Sequence, residues 1–152
     1  MGWGTPENDS EAFHWYVQAA DKGHSEACYN VGYMYESGIG TYKDDEKAFN
    51  YYMCSAKQGN RDAIYAIAEM YYKSNEYEAA FKWYGKAAKR DYPIAFYKMG
   101  YMYESGIGTR MNIKFAYEWY LKAYRSGYLQ AWEALENMYR KGSLKLEWLL
   151  NK

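Results

Sequence analysis

The chain has 152 residues, which is the length of one ordinary domain and enough to bury a hydrophobic core. Its 19 basic and 19 acidic side chains balance, so no bulk charge favours nucleic acid or an acidic membrane surface as a partner. No run of 18 apolar residues is present, so no membrane partner is expected. The first residues, MGWGTPENDSEA, lack the basic and apolar regions of a signal peptide, and we therefore expect a cytoplasmic protein.

The predicted elements are helices separated by glycine-containing turns. Apolar or aromatic residues recur at the spacing of one helix face at Ala27, Val31, Met34 and Tyr35. The following GIGT ends that helix, because glycine tolerates the positive φ of a helix terminus. The acidic run Asp44–Glu46 favours a new helix start. The same reasoning predicts helices near residues 9–22, 26–37, 45–58, 62–73, 76–90, 94–105, 113–126 and 130–141, and a short one after Ser143.

An internal repeat organises these helices. The ten residues GYMYESGIGT occur at Gly32–Thr41 and again at Gly100–Thr109, 68 positions later. The alanines that open successive helices lie 36, 32 and 36 residues apart, at Ala27, Ala63, Ala95 and Ala131. A recurrence every 32 to 36 residues is typical of stacked helical repeats. A duplicated phrase fits such a structural unit better than an active-site loop, because an active site is normally needed only once.

The spacing predicts a single α-solenoid domain over residues 1–152. It contains a half repeat at 2–26, repeats at 27–62, 63–94 and 95–130, and a terminal repeat with a cap at 131–152. Because the chain starts inside a repeat, a fragment of a longer solenoid stays an alternative. The missing first helix would leave an uncovered face on residues 9–22 that includes Phe13, Trp15 or Tyr16. We expect self-association there.

The repeated pattern resembles the Sel-1-like repeat, a relative of the tetratricopeptide repeat. Its motif residues recur in two sets, at Ala27, Val31, Gly32, Tyr35, Gly38, Gly40, Lys47, Ala48, Tyr51, Tyr52, Ala56 and Gly59, and at Ala95, Met99, Gly100, Tyr103, Gly106, Gly108, Ala116, Trp119, Tyr120, Lys122, Ala123 and Gly127. Ala68 and Glu136 replace the packing glycine in the other two repeats. The resemblance implies an all-α, right-handed α-solenoid of helix-turn-helix repeats. It also implies a scaffold or adaptor for other proteins, without shared chemistry.

Catalytic and metal chemistry find little support in the sequence. GIGT follows no predicted strand, as a phosphate-binding loop would. The soft metal ligands are His14, His24, Cys28 and Cys54, which show neither CxxC nor HExxH spacing. In secreted relatives of the resembled family, a cysteine at the place of Cys28 pairs with one eight residues earlier, and that place is Ala20 here. We expect no enzyme, no cofactor and no metal; an amide hydrolase is the disfavoured alternative.

The resemblance also implies a ligand-binding face. In tetratricopeptide relatives the first helix of each repeat lines a concave groove. The corresponding positions here are Tyr29, Tyr33 and Glu36; Tyr65, Glu69 and Tyr72; Tyr97, Tyr101 and Glu104; and Glu133, Asn137 and Arg140. Tyr29, Tyr65 and Tyr97 are equally compatible with packing between helices. The packing stripe leaves the pairs Tyr33–Glu36 and Tyr101–Glu104 outside, and they are the stronger candidates.

These observations predict a non-catalytic module that holds a segment of another protein in a Tyr- and Glu-lined groove. One alternative is an inhibitor or immunity protein for a bacterial toxin. Another is docking on the opposite, convex face through Lys47, Asn50 and Lys114.

Overall fold

The computed structural model describes residues 6–143, with side chains from Asn8 onwards. Each regular element in that range is an α-helix. The helices are α1 (Pro6–Asp21), α2 (Ser25–Ser37), α3 (Asp45–Lys57), α4 (Arg61–Lys73), α5 (Tyr77–Ala88), α6 (Pro93–Ser105), α7 (Ile113–Arg125) and α8 (Gln130–Arg140). Every helix predicted within this range is confirmed, with ends close to those expected. The short helix predicted after Ser143 lies outside the described residues.

The chain divides into two compact units, residues 1–70 and 71–152. In the first unit the start of α2 meets the end of α3, where the buried hydroxyl of Ser55 donates to the carbonyl oxygen of Ser25 at 2.7 Å. Val31 and Cys28 of α2 are fully buried. In the second unit, Tyr120 and Met138 form part of a buried cluster. Each unit is therefore held by small residues that allow close approach of helices and by large rings that fill the remaining space.

In each of two helical hairpins, α2–α3 and α6–α7, one glycine leaves room for a tyrosine ring of the second helix. A Cβ atom on Gly32 would lie 2.7 Å from Cδ1 of Tyr52, and one on Gly100 would lie 2.6 Å from Cδ1 of Tyr120. Both rings are almost completely buried. The lack of a side chain at Gly100 therefore lets the buried ring of Tyr120, on the following helix, approach α6 closely.

Each GIGT loop packs against the main chain of the helix that precedes its hairpin, α1 in the first unit and α5 in the second. Gly40 has φ +66°, and a Cβ there would overlap the carbonyl oxygen of Asp9 near the start of α1. Gly108 has φ +68°, and a Cβ there would overlap the carbonyl oxygen of Tyr77 at the start of α5. Only glycine combines this backbone conformation with this close approach. The duplicated loop thus has a structural role in both units.

The two hairpins also share their helix starts. Asp44 caps α3 by accepting a hydrogen bond from the backbone N–H of Lys47 at 2.9 Å. Asn112 caps α7 in the same way, accepting from the N–H of Phe115 at 3.0 Å. The backbone N–H of each cap residue donates to a carbonyl oxygen of the preceding helix at 2.9 Å. Asp44 is thus the N-cap residue of α3, and Asp45 and Glu46 lie in its first turn.

The exposed face of α1 differs from the expected one in one residue. Phe13 packs edge-on against Tyr35 of α2, with ring centroids 5.2 Å apart, because α2 covers that side of the helix. Trp15 and Tyr16 are exposed, as expected for an uncovered face. Self-association through them stays a prediction. Among the described residues, no helix has both the length and the apolar character to cross a membrane.

Candidate partner-binding surface

Tyr33 and Tyr101 project to solvent from the middle of the repeated phrase. Tyr33 on α2 is 49% exposed and Tyr101 on α6 is 37% exposed. Their neighbours Gly32, Met34, Gly100 and Met102 are buried. An exposed tyrosine between buried neighbours presents a rigid aromatic ring at low entropic cost, as binding surfaces commonly do.

A carboxylate lies one helical turn after each exposed tyrosine and is held from inside the hairpin. The hydroxyl of Tyr52 donates to Oε2 of Glu36 at 2.7 Å, and the hydroxyl of Tyr120 donates to Oε2 of Glu104 at 2.8 Å. Burial, reinforced by these hydrogen bonds, raises the pKa of Tyr52 and of Tyr120. The two glutamates are thus half-buried and fixed in place, whereas the sequence predicted them wholly outside the packing.

Tyr29 and Tyr97 are half-buried against the same inner rings. Tyr29 lies 5.7 Å from Tyr52, and Tyr97 lies 5.3 Å from Tyr120, between ring centroids. Burial raises the pKa of both phenols, and nearby carboxylates add to the shift. The packing role left open by the sequence is therefore met, while both residues stay partly accessible.

The remaining predicted positions differ between repeats. Tyr65, Glu69 and Tyr72 are half-buried on α4, where Tyr72 packs edge-on against Tyr77 at 5.3 Å. Asn137 and Arg140 are exposed on α8, and Arg140 pairs with Glu136 at 2.8 Å. The identical tyrosine–glutamate arrangement therefore occurs only in α2 and α6 among the predicted positions of residues 6–143.

A cavity of about 390 Å³ brings five of the predicted residues together in the second unit. We call it the α6–α8 cavity. It is lined by Tyr97, Tyr101, Glu104, Tyr120, Tyr128, Gln130, Glu133, Ala134, Asn137 and Lys141. Sequence reasoning missed Tyr128 and Lys141, which lie in the turns on either side of α8 and outside the helical register.

The opposite side of each hairpin carries a different surface. In the first unit the ammonium group of Lys47 lies over the rings of Tyr35 and Tyr42, 5.3 and 4.8 Å from their centroids, and donates to the Tyr42 hydroxyl. Asn50 and Lys114, the other convex candidates, are exposed. In the second unit the place of Lys47 is taken by exposed Phe115, beside a second cavity shared with Trp119.

The cysteines and histidines show no reactive arrangement. Cys28 is buried, with its thiol 3.9 Å from the carbonyl oxygen of Ala20. Burial and the neighbouring Cys54 thiol raise the pKa of Cys28 to about 12. A thiol with so high a pKa is protonated at neutral pH and is a poor nucleophile. Within residues 6–143, no three His, Cys, Asp or Glu side chains converge as a metal site would require.

Comparison with known protein families identifies the repeat. The family model of the Sel1 repeat matches four consecutive segments, at residues 1–24, 25–60, 61–92 and 93–128. The chain belongs to the Sel1-repeat family. Sel1-repeat proteins are generally protein-interaction modules, and they are typically non-catalytic scaffolds. Comparison with curated proteins gives no match.

Solved structures agree with the family assignment. This Sel1-repeat chain is similar to a Sel1 repeat protein from Oxalobacter formigenes, with 28% identity and a TM-score of 0.82 over 88% of this chain and 56% of the other. It is similar to c5321, a protective antigen of uropathogenic Escherichia coli strains, with 31% identity and a TM-score of 0.83 over 88% of this chain and 29% of the other. The chain therefore spans little more than half of the first relative and under a third of the second.

A third structure supports the fold alone. Cysteine-rich protein B of Helicobacter pylori has 21% identity and a TM-score of 0.66, over 89% of this chain and all of the other. Together with the eight helices of residues 6–143, these similarities confirm the predicted fold class, an α-solenoid of helix-turn-helix repeats.

Proposed function

We propose that this Sel1-repeat chain is a non-catalytic binding module that holds a segment of another protein. The segment would bind to the exposed side of the first helix of a hairpin, α2 or α6. The observation that carries the proposal is the repeated pairing of an exposed tyrosine with a fixed carboxylate. Tyr33 stands beside Glu36 in the first unit, and Tyr101 stands beside Glu104 in the second.

The physical argument concerns preorganisation. A glutamate on a helix surface normally samples several rotamers, and ordering it on binding costs about 0.5–1.5 kcal/mol. The hydroxyls of Tyr52 and Tyr120 already hold Glu36 and Glu104 in the free protein. A partner with apolar and basic side chains would therefore gain a ring contact and a charge contact at little further entropic cost.

A random peptide library tests the proposal. Peptides selected on the wild-type chain are measured against Tyr33→Ala and Tyr101→Ala by calorimetry. Each change removes an exposed ring and leaves the core intact, so binding should weaken by about 1–2 kcal/mol while the melting temperature holds. Lys114→Ala, at an exposed position of α7 outside the lining of the α6–α8 cavity, is the matched control and should leave affinity unchanged.

The same affinity measurement would contradict the proposal if the tyrosine variants bind normally and the lysine control does not. Selected peptides that bind both tyrosine variants normally and lose affinity for Lys114→Ala would place the interaction on the convex face. Glu36→Lys adds a second readout. It should slow association with a basic peptide and invert the dependence of the rate on salt, because the charge beside Tyr33 changes sign.

A further inference from the structure

The α6–α8 cavity has an aromatic wall built from three tyrosines. The ring of Tyr97 lies 5.3 Å from that of Tyr120 and 5.2 Å from that of Tyr128. Tyr120 is buried at the back of this wall, while Tyr101 stands at the exposed side. The π faces of such rings carry partial negative charge and attract cations.

Three of the described lining residues are charged: the carboxylates Glu104 and Glu133 and the ammonium group of Lys141. Oε2 of Glu104 accepts from Tyr120, and its Oε1 lies 3.8 Å from Nζ of Lys141, a largely exposed side chain. Glu133 lines the same cavity and has no ion pair with any described residue. The negative charges of both carboxylates help to raise the pKa of Tyr97. The lining residues within 8–143 therefore carry one more negative than positive charge, and the Glu133 carboxylate has no cation among them.

We infer that the α6–α8 cavity receives the guanidinium group of an arginine in the bound segment. This inference rests on the proposed function, since it names a side chain that the partner segment must present. A guanidinium is planar and weakly hydrated, so it stacks on tyrosine faces while its N–H groups donate to carboxylates. A cavity of about 390 Å³ is within the usual range for ligand pockets and leaves room for the methylene stem.

Other side chains match the cavity less well. The lysine ammonium is a strongly hydrated point charge that is attracted to a ring face but cannot lie flat on it, so it gains less from the rings than a guanidinium does. An acidic side chain would find Lys141 as its cation, but two carboxylates would repel it. A neutral side chain would leave Glu133 without a counter-charge. The combination of rings and carboxylates selects arginine.

The first unit carries different residues at the matching places of the sequence. Sixty-eight positions earlier, Asn60 stands for Tyr128 and Tyr65 stands for Glu133. The third ring of the aromatic wall and the unpaired carboxylate are therefore both replaced. We assign the arginine preference to the second unit.

Nuclear magnetic resonance on the full chain tests this assignment with small probes. N-acetyl-arginine amide, N-acetyl-lysine amide and N-acetyl-citrulline amide are titrated separately, and the backbone amides of Tyr128 and Asn137 are followed. Arginine should shift both signals in a saturable way, and lysine should do so more weakly. Citrulline has nearly the same shape without the charge, and it should leave both signals unchanged. The amide of Asn50 in the first unit serves as the internal reference.

Three variants separate this site from a general charge effect. Glu133→Gln, at an exposed position, should weaken arginine binding about threefold to fivefold. Lys141→Ala should strengthen it, because Glu104 loses its competing cation. Lys114→Ala removes the same charge elsewhere on the second unit and should have no effect. Weaker binding by Lys141→Ala, or equal shifts from citrulline, would overturn the inference.

The outcomes also separate this inference from the proposed function. Peptides that depend on Tyr33 or Tyr101, together with a cavity indifferent to arginine, would sink the inference and leave the proposed function standing. Saturable arginine binding at Tyr128 and Asn137, with no peptide dependent on either tyrosine, would keep the cavity assignment and reject the binding face.

Discussion

The α2–α3 and α6–α7 hairpins share the identical phrase GYMYESGIGT but differ in the rest of the loop and in their second helices. In both, a glycine admits a buried tyrosine whose hydroxyl holds a glutamate, at 2.7 Å in the first hairpin and 2.8 Å in the second. In both, the loop glycine lies against a carbonyl oxygen of the helix before the hairpin, α1 in the first unit and α5 in the second. The outer surfaces diverge. Lys47 covers the rings of Tyr35 and Tyr42, whereas Phe115 at the matching place is exposed.

This difference shows which residues build the repeat and which distinguish its surfaces. Apart from the exposed Tyr33 and Tyr101, the shared phrase supplies contacts that face inward or toward the main chain, and these constrain both copies alike. The second helix supplies outward positions, where a substitution changes the surface without altering the hairpin. If this division is correct, equivalent changes within the phrase should have equal effects in both units.

Gly108→Ala should give the largest loss of stability. A methyl group there meets the carbonyl oxygen of Tyr77, and alanine also resists φ +68°. Strain of about 1–2 kcal/mol and overpacking of about 1–3 kcal/mol together predict a loss near 3 kcal/mol in urea unfolding. Gly127→Ala is the matched control, because Gly127 also has positive φ and nothing within 4 Å. Equal losses at the two positions would contradict the loop contact.

Gly32→Ala and Gly100→Ala should be next and should match each other. Each added methyl group meets a buried tyrosine ring at 2.6 to 2.7 Å, so we expect losses of about 1–3 kcal/mol. Gly85 is also helical but has nothing within 4 Å of its Cβ direction. Gly85→Ala should therefore stabilise the chain by about 0.5–1 kcal/mol through helix propensity. Thermal unfolding of the three variants tests both the size and the opposite sign.

Tyr52→Phe and Tyr120→Phe should each cost about 1–2 kcal/mol in the free energy of unfolding, because each removes a hydroxyl donor to a carboxylate. The ring volumes are unchanged, so packing is preserved. Chemical denaturation of both variants at neutral pH measures the loss. A markedly smaller effect at either position would show that the two hairpins are not equivalent.

The same tyrosines predict a loss of stability at alkaline pH. Burial raises their pKa above the ordinary value of 10.0, so above that pH the unfolded chain releases protons that the folded chain retains. Stability is therefore complete below about pH 10 and falls as pH rises further. Unfolding measured between pH 9 and about 11 should show this fall, and the double phenylalanine variant should show a shallower one.

The helix caps should give the smallest difference between the hairpins. Asp44→Ala and Asn112→Ala should each cost about 1 kcal/mol, since each removes a side-chain acceptor at a helix start. Asp44 is charged and lies 3.7 Å from the ammonium group of Lys47. Its loss should therefore exceed that of Asn112 by a few tenths of a kcal/mol at low salt. The excess should disappear at high salt if charge is its cause.

The helices could be predicted from the sequence because the same spacing of apolar and small residues recurs in each repeat. Residues such as Ala27 and Gly100 mark the register, and local rules place the helix ends. The tyrosine–glutamate hydrogen bonds were missed, because Glu36 and Tyr52 lie on different helices, 16 residues apart. The recurrence of that separation between Glu104 and Tyr120 was the available signal. The α6–α8 cavity depends on Tyr128, whose place in a turn no helical period describes.

The loop contact has a consequence for how such a chain grows. Gly40 rests on the main chain of Asp9, and Gly108 rests on the main chain of Tyr77, two residues with nothing in common as side chains. A carbonyl oxygen is present in every sequence, so the joint between one repeat and the next makes no demand on residue identity at that point. A duplicated or transplanted repeat would find its docking surface already present, which allows the array to lengthen by whole units while the outward residues of each new copy diversify.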